Sequence, residues 1–115
     1  MRTEIVEAQV PIVRVSGELD ISTVAQLARA LNTAATGAAR KPPRLVVDLM
    51  GLDFCDSSGL RALIGAVKEV QVLGGRVVLA VEPAGSLDRL LELSGLREFL
   101  RVSESVDAAV KRLTS

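Results

Sequence analysis

The sequence Phe54-Cys55-Asp56-Ser57-Ser58-Gly59-Leu60 joins a strand-like segment to a helix-like one. Residues 45–49, just before it, are mostly apolar and include two β-branched valines, which favours a strand. After it, apolar residues recur every three or four positions, the spacing of one helix face: Leu60, Leu63, Ile64 and Val67. An acid and two hydroxyls therefore stand where the first N–H groups of a helix lack partners within the helix. Such a position suits a capping side chain, a bound anion or an attached phosphoryl group.

The composition of the chain argues against several classes of protein. At 115 residues, we expect a single domain over 1–115. Lysine plus arginine and aspartate plus glutamate both number 14, and two Phe with no Trp or Tyr offer no stacking platform, so we expect no nucleic-acid partner. No apolar run approaches the ~20 residues that span a bilayer, and no apolar signal segment follows Met1. We therefore expect a cytoplasmic protein without membrane insertion.

The absence of histidine bears on catalysis. Without histidine the chain has no Ser-His-Asp or Cys-His machinery and lacks the commonest metal ligand. Cys55 is the only cysteine, so it forms no internal disulfide. A single cysteine without histidine also argues against a zinc site. No glycine-rich phosphate loop is present, since Gly74-Gly75 is typical of a tight turn. We expect no enzyme, no catalytic residues, no metal and no cofactor.

The rest of the chain alternates between strand and helix patterns. Strands are expected as two short segments within 3–15, at 44–49 and 76–81, and at an edge within 96–102. Helices are expected from about 24 to 37, from about 58 to 73, between Pro83 and Gly95, and around 106–113. Residues 16–20 are expected to lead from the second strand into the first helix.

The order strand, helix, strand over 44–81 predicts a parallel pair with a right-handed crossover. The loops that leave the carboxyl ends of parallel strands gather at one edge of the sheet, where ligands usually bind. If the strand near 12–15 also runs parallel, Asp20 lies at the same edge as Asp56, Ser57 and Ser58.

Several residues of this edge allow a purely structural interpretation. Either Ser57 or Asp56 could cap the helix that follows, and Asp20, Ser22 or Thr23 could cap the first helix. These alternatives stay open at the level of sequence.

Three neighbours of the two serines carry further expectations. Gly59 either lets a partner approach closely or allows tight packing within the chain. Phe54 and Cys55 are expected to be core side chains at the end of a strand, with Cys55 inert in redox chemistry.

Three segments together resemble a known family. Asp56-Ser57-Ser58-Gly59-Leu60, preceded by residues 45–49 and followed by Gly74-Gly75, resembles the STAS domain of bacterial anti-sigma factor antagonists. Ser16-Gly17-Glu18-Leu19-Asp20 is similar to that family's other short signature, and Ser94-Gly95-Leu96 to its late helix-ending turn. The resemblance covers nearly the whole chain in the right order. It implies an α/β fold, with a small mixed sheet of about four to five strands and four helices.

The resemblance also implies a function controlled by phosphorylation. The unphosphorylated form would bind an anti-sigma factor that is also a serine kinase of the histidine-kinase-like ATPase fold, and so release the sigma factor. The kinase would phosphorylate Ser58, with Ser57 as the fallback, and a metal-dependent serine phosphatase would reverse the modification.

The resemblance implies that Asp20 and Asp56 flank the acceptor and shape the docking surface. The full set of residues expected to bind the partner is Asp20, Asp56, Ser57, Gly59 and Arg61. Arg61 stands where the family has a small residue. It could alter the choice of partner or place a cation near a phosphate on Ser58.

Two further hypotheses remain open. The chain could be a constitutive STAS interaction subunit of a larger assembly, such as a stressosome or a phospholipid-transport ATPase. It could also be a weak nucleotide-binding or hydrolytic protein that uses a helix start as an anion site. The intact Ser57-Ser58 pair favours the phosphorylation switch over the constitutive subunit, and the missing histidine counts against hydrolysis.

Overall fold

A computed structural model of the chain describes residues 1–114. Over these residues, strands and helices alternate along the chain as expected from the sequence. The strands are β1 (Arg2–Val6), β2 (Ile12–Leu19), β3 (Arg44–Cys55), β4 (Arg76–Ala80) and β5 (Val102–Ser103). The helices are α1 (Val24–Gly37), α2 (Ser57–Val72), α3 (Ser86–Ser94) and α4 (Val106–Thr114). This architecture confirms the small mixed α/β fold that the sequence predicts.

The described strands form one sheet in the order β1-β2-β3-β4-β5. β1 pairs antiparallel with β2, and the remaining neighbours pair in parallel. The predicted parallel unit of β3, α2 and β4 is therefore confirmed. Because β2 and β3 are also parallel, the loop that contains Asp20 and the start of α2 lie at the same edge of the sheet.

Three of the described helices cover one face of the sheet and one covers the other. Alternate side chains of β3 accordingly belong to two different cores. Helices α1, α2 and α3 pack on one face, where Leu45, Val47 and Leu49 of β3 join the larger core. Helix α4 packs on the other face, where Val46 lies in a smaller core with α4 side chains. This period of two is the pattern of a strand buried on both faces.

Strands β2 and β3 both extend further than the sequence predicted. Residues 16–19 continue β2 instead of leading into a helix, and β3 runs on beyond Leu49 to Cys55. The two extensions pair with each other, from Ser16 opposite Gly51 to Leu19 opposite Cys55, through register shifts on either side of Gly17. Gly17 has a φ of 98°, which side-chain-bearing residues rarely adopt. The extensions bring Leu19 and Cys55 to one level, directly below the candidate site.

The last predicted strand is only partly correct. Helix α3 ends at Gly95, whose φ is 72°, and the N–H of Leu96 then donates to the Leu91 carbonyl. A further helical turn follows, closed by the N–H of Leu100 on the Leu96 carbonyl, and only residues 102–103 form β5. The apolar residues of 96–101 thus serve a turn that buries Leu100 rather than a strand.

Candidate functional site at the start of helix α2

The candidate site lies where β2 and β3 end side by side. The N–H of Asp56 donates to the carbonyl of Leu19 over 3.3 Å, which ties the start of α2 to the end of β2. The loop that begins with Asp20 therefore lies directly beside the first turn of α2. This is the juxtaposition that the parallel topology predicted.

Asp56 caps helix α2. Its carboxylate Oδ1 accepts a hydrogen bond from the Gly59 N–H at 2.8 Å, and its backbone carbonyl accepts the Leu60 N–H at 2.9 Å. Its extended backbone, with φ −100° and ψ −178°, is the usual conformation of a capping residue. Of the two capping residues proposed from sequence for this helix, Asp56 is confirmed and Ser57 is wrong.

Ser57 and Ser58 occupy the first turn of α2 and are exposed. Within residues 1–114, neither hydroxyl makes a hydrogen bond, because the Asp56 carboxylate already satisfies the Gly59 N–H. Both hydroxyls are therefore accessible to another protein, and neither stabilises the fold through a hydrogen bond.

Gly59 is buried against the end of β2. A Cβ atom added at this position would lie 2.3 Å from the Leu19 carbonyl oxygen and 2.8 Å from its carbon. Those backbone atoms cannot move aside without breaking the contact between α2 and β2. Close packing within the chain therefore explains this glycine, which was one of the two interpretations of the sequence.

Asp20 organises the turn between β2 and α1. Its carboxylate Oδ1 accepts hydrogen bonds from the Ser22 hydroxyl at 2.6 Å and the Ser22 N–H at 2.9 Å. These hydrogen bonds hold the pKa of Asp20 below its ordinary value of 3.8, and the bond from the Ser22 hydroxyl has the largest effect. The side chain therefore stays ionised at neutral pH and adds negative charge to the edge of the sheet.

None of the three proposed side-chain caps of α1 bonds to an N–H of that helix in the described chain. Thr23 stands at the capping position, but its hydroxyl donates to the Glu18 carbonyl at 2.9 Å and accepts from the Asp20 N–H at 3.0 Å. The Val24 N–H is satisfied by the backbone carbonyl of Asp20 at 3.1 Å. The prediction of a side-chain cap at this helix is wrong because the turn itself uses these groups.

Arg61 is exposed on the first turns of α2. It lies three residues after Ser58 and four after Ser57, and both spacings place side chains on the same face of a helix. No described carboxylate lies within ion-pair distance of it. Its guanidinium is the nearest basic group in sequence to the two serines.

Phe54 and Cys55 behave differently, although both were expected in the core. Cys55 is buried as predicted, and its burial, with a smaller contribution from the Asp56 charge, raises the pKa of the thiol to about 11. The reactive thiolate is therefore rare at neutral pH. Phe54 is 44% exposed, so its prediction as a core side chain is wrong.

Sequence reasoning also missed Ile21, which is 78% exposed immediately after Asp20. Its position was a usable signal, because an apolar residue between an acid and a serine in a turn belongs to no buried face. Ile21 directly follows Asp20 and Phe54 lies two residues before Asp56, so both add exposed apolar surface next to the acids in sequence.

The described residues contain no group of three or more His, Cys, Asp or Glu side chains that could hold a metal ion. Within that same part of the chain, no helix is long and apolar enough to cross a bilayer. What the site does offer is two acids, two free hydroxyls, an arginine and two exposed apolar side chains on one rim.

Comparisons with known proteins agree on one family. The model of the STAS domain family matches residues 3–109. An anti-sigma F factor antagonist of Paenibacillus polymyxa is 33% identical over 103 residues, which are 89% of this chain and 85% of that protein. An anti-sigma factor antagonist from Mycobacterium paratuberculosis has the same fold, with a TM-score of 0.83, 24% identity, and coverage of 99% of this chain and 94% of that one.

One relative is known in two chemical states. The anti-sigma factor antagonist SpoIIAA in its unphosphorylated form has a TM-score of 0.71 and 26% identity, over 98% of this chain and 95% of that one. The Bacillus cell fate determinant SpoIIAA in its phosphorylated form has a TM-score of 0.65 and 26% identity, over 97% of each chain. These relatives bear the name of a regulatory protein, not of an enzyme. This chain belongs to the STAS domain family, among the anti-sigma factor antagonists.

Proposed function

We propose that this chain is a cytoplasmic anti-sigma factor antagonist whose binding is switched off by phosphorylation of Ser58. The unphosphorylated protein binds an anti-sigma factor that is also a serine kinase of the histidine-kinase-like ATPase fold, and this binding frees the sigma factor. The kinase modifies Ser58, with Ser57 as the fallback acceptor, and a metal-dependent serine phosphatase resets the switch. The chain itself catalyses no reaction in this scheme.

The free hydroxyls on the first turn of α2 carry this proposal. Asp56 supplies the cap, so phosphorylation of either serine breaks no hydrogen bond of the folded protein. The relative SpoIIAA, which exists in a phosphorylated form, supports the same chemistry at the matching fold.

A phosphate on Ser58 is compatible with the folded state. It adds roughly 1.5 to 2 negative charges, and near a helix start such charge gains about 0.3–1 kcal/mol when exposed. Arg61 lies on the same helix face and contributes a compensating positive charge. We therefore expect the modified protein to keep its fold and its thermal stability.

The same phosphate is unfavourable in a complex. In the bound state it must lose water close to Asp56 and to Asp20, which is already negatively charged. An unpaired charge buried in an interface costs roughly 3–5 kcal/mol, which is about a hundredfold to several thousandfold in affinity. The switch thus acts on the complex and not on the fold.

The proposal is tested by incubation with candidate serine kinases from the same genome and ATP, followed by mass spectrometry of the modified peptide. We expect one phosphate per chain within residues 56–61, lost in Ser58→Ala and retained in Ser57→Ala. These two variants are matched, because neither hydroxyl makes a hydrogen bond within the described chain. A chain that no such kinase modifies on either serine would contradict the switch and favour a constitutive STAS subunit.

A further inference from the structure

Strand β1 presents a free edge of the sheet. It is the first strand in the sheet order, and within residues 1–114 no strand lies along its outer side. The N–H and C=O groups on such an edge can pair with another strand. Open grooves of about 450 Å³ and 440 Å³ flank β1 on its two faces, and Thr3 and Glu4 line both of them. The first groove extends inward over β2 and β3, where Arg14 and Asp48 line it, and the second lies between β1 and α1.

A row of alternating charge crosses the sheet and ends at this edge. Asp48 of β3 stands opposite Arg14 of β2, and their side chains form an ion pair at 3.5 Å. Arg14 in turn stands opposite Glu4 of β1. Glu4 is exposed and has no ion pair with any residue of the described chain. The row reads negative, positive, negative, so the next position outward suits a cation.

We propose that a second copy of this chain supplies that cation, by pairing its β1 antiparallel with β1 about a two-fold axis at Thr3. In this register Arg2 of each copy faces Glu4 of the other, and the charge row continues through both sheets. Thr3 faces Thr3, and Ile5 faces Met1. Every opposed pair is therefore complementary, and the interface uses the same surface on both copies.

The charges of β1 select this register over its neighbours. A shift that centres the pair on Glu4 opposes two glutamates, and a shift that centres it on Arg2 opposes two arginines. A shift that opposes Arg2 to Ile5 would place side chains of opposite sheet faces opposite each other, which a regular antiparallel pair does not allow. Only the register centred on Thr3 joins opposite charges and keeps α1 of both copies on one side of the sheet.

The proposed dimer leaves the site at α2 accessible. β2 lies between β1 and β3, and the serine pair follows β3 at the carboxyl edge of the sheet. Dimerisation is therefore independent of phosphorylation, and one dimer presents two antagonist sites. The inference does not depend on the phosphorylation switch.

The test is the mass of the full chain in solution, measured by sedimentation velocity over a micromolar to millimolar concentration series. We expect a reversible monomer–dimer equilibrium for the unmodified sequence. Arg2→Glu and Glu4→Arg should each be monomeric, since each opposes like charges twice across the two-fold axis. Glu92→Arg, an exposed charge reversal on α3, is the matched control and should dimerise normally. Circular dichroism checks that all variants are folded.

Mixing the two monomeric variants gives the decisive result. One strand then carries two glutamates and the other two arginines, so the mixture should form a heterodimer that neither variant forms alone. The double variant Arg2→Glu/Glu4→Arg should regain the homodimer. A monomer at every concentration of the unmodified chain would overturn the proposal. Dimers that persist in both single reversals would overturn it equally.

Discussion

Helices α1 and α2 begin at the same edge of the sheet, after neighbouring parallel strands, and each beginning combines an acid with hydroxyls. At α1 the hydroxyls of Ser22 and Thr23 form hydrogen bonds within the turn. The Ser22 hydroxyl donates to the Asp20 carboxylate, and the Thr23 hydroxyl donates to the Glu18 carbonyl. This turn is closed by its own side chains and has no free hydroxyl to offer on Ser22 or Thr23.

At α2 the same kinds of residue are arranged differently. Asp56 stands immediately before the helix, so its carboxylate reaches the Gly59 N–H and leaves Ser57 and Ser58 unused. The position of the acid therefore decides whether a neighbouring hydroxyl is bonded within the chain or available to a partner. An acid that caps the helix leaves the serines that follow it unbonded, whereas an acid that begins a turn binds the hydroxyl of the serine that follows.

The largest effect should come from Gly59→Ala, because α2 is held against β2 by a contact that leaves no room for a methyl group. Overpacking of this kind costs about 1–3 kcal/mol of the free energy of unfolding, or more where backbone must move. Gly65→Ala is the matched control, since its added Cβ meets nothing within 4 Å, and it should stabilise α2 by about 0.5–1 kcal/mol. Urea unfolding of both variants measures the difference. Equal stability of the two would show that the contact with Leu19 does not fix the helix start.

A smaller effect is expected from loss of the α2 cap. Asp56→Ala removes the acceptor of the Gly59 N–H and should destabilise the protein by about 0.5–2 kcal/mol. Asp20→Ala is the counterpart at α1 and should cost less, since its carboxylate bonds to no N–H of that helix. Thermal unfolding at neutral pH compares the two, and a larger loss for Asp20→Ala would reverse the assignment of the cap.

The smallest effect is expected from removal of single hydroxyl groups, at Ser22 and at Ser58. Ser22→Ala removes an exposed hydrogen bond and should cost roughly 0.5 kcal/mol, whereas Ser58→Ala removes none and should be near neutral. Ser22→Ala should also raise the pKa of Asp20 toward 3.8, while Ser58→Ala leaves it unchanged. NMR titration of the Asp20 carboxyl group measures this. An unchanged pKa in Ser22→Ala would contradict the closed turn at α1.

The lowered pKa of Asp20 also sets the sign of its pH dependence. A carboxyl whose pKa is depressed by folding stabilises the native state above its unfolded pKa. That contribution is lost as the pH falls from about 3.8 through the folded pKa. Ser22→Ala should reduce this acid sensitivity without abolishing it, because the Ser22 N–H still donates to the carboxylate, and acid titration of the unfolding midpoint would detect the change.

Much of this architecture follows from sequence patterns. The mostly apolar run at 45–49 and the helical spacing after Leu60 predict the parallel unit, and with it the position of the serine pair at a sheet edge. The extensions of β2 and β3 could not be predicted in this way, because Ser16, Gly17 and Gly51 belong to no apolar pattern. They form strand because the two segments pair with each other.

The details of the site are also beyond sequence patterns alone. Asp56 and Ser57 are both good capping residues, and only the path of the chain decides which carboxylate or hydroxyl reaches the free N–H. Phe54 is exposed although the next residue, Cys55, is buried in the larger core, because successive side chains of a strand point to opposite faces of the sheet.

We expect phosphate at the start of α2 to disrupt the complex and not the fold. Calorimetry with the anti-sigma partner, comparing the unmodified chain with one that carries phosphoserine at position 58, tests it most directly. We expect affinity to fall about a thousandfold while the unfolding midpoint stays the same or rises slightly. Equal affinity of the two forms, or unfolding of the modified chain, would contradict this account.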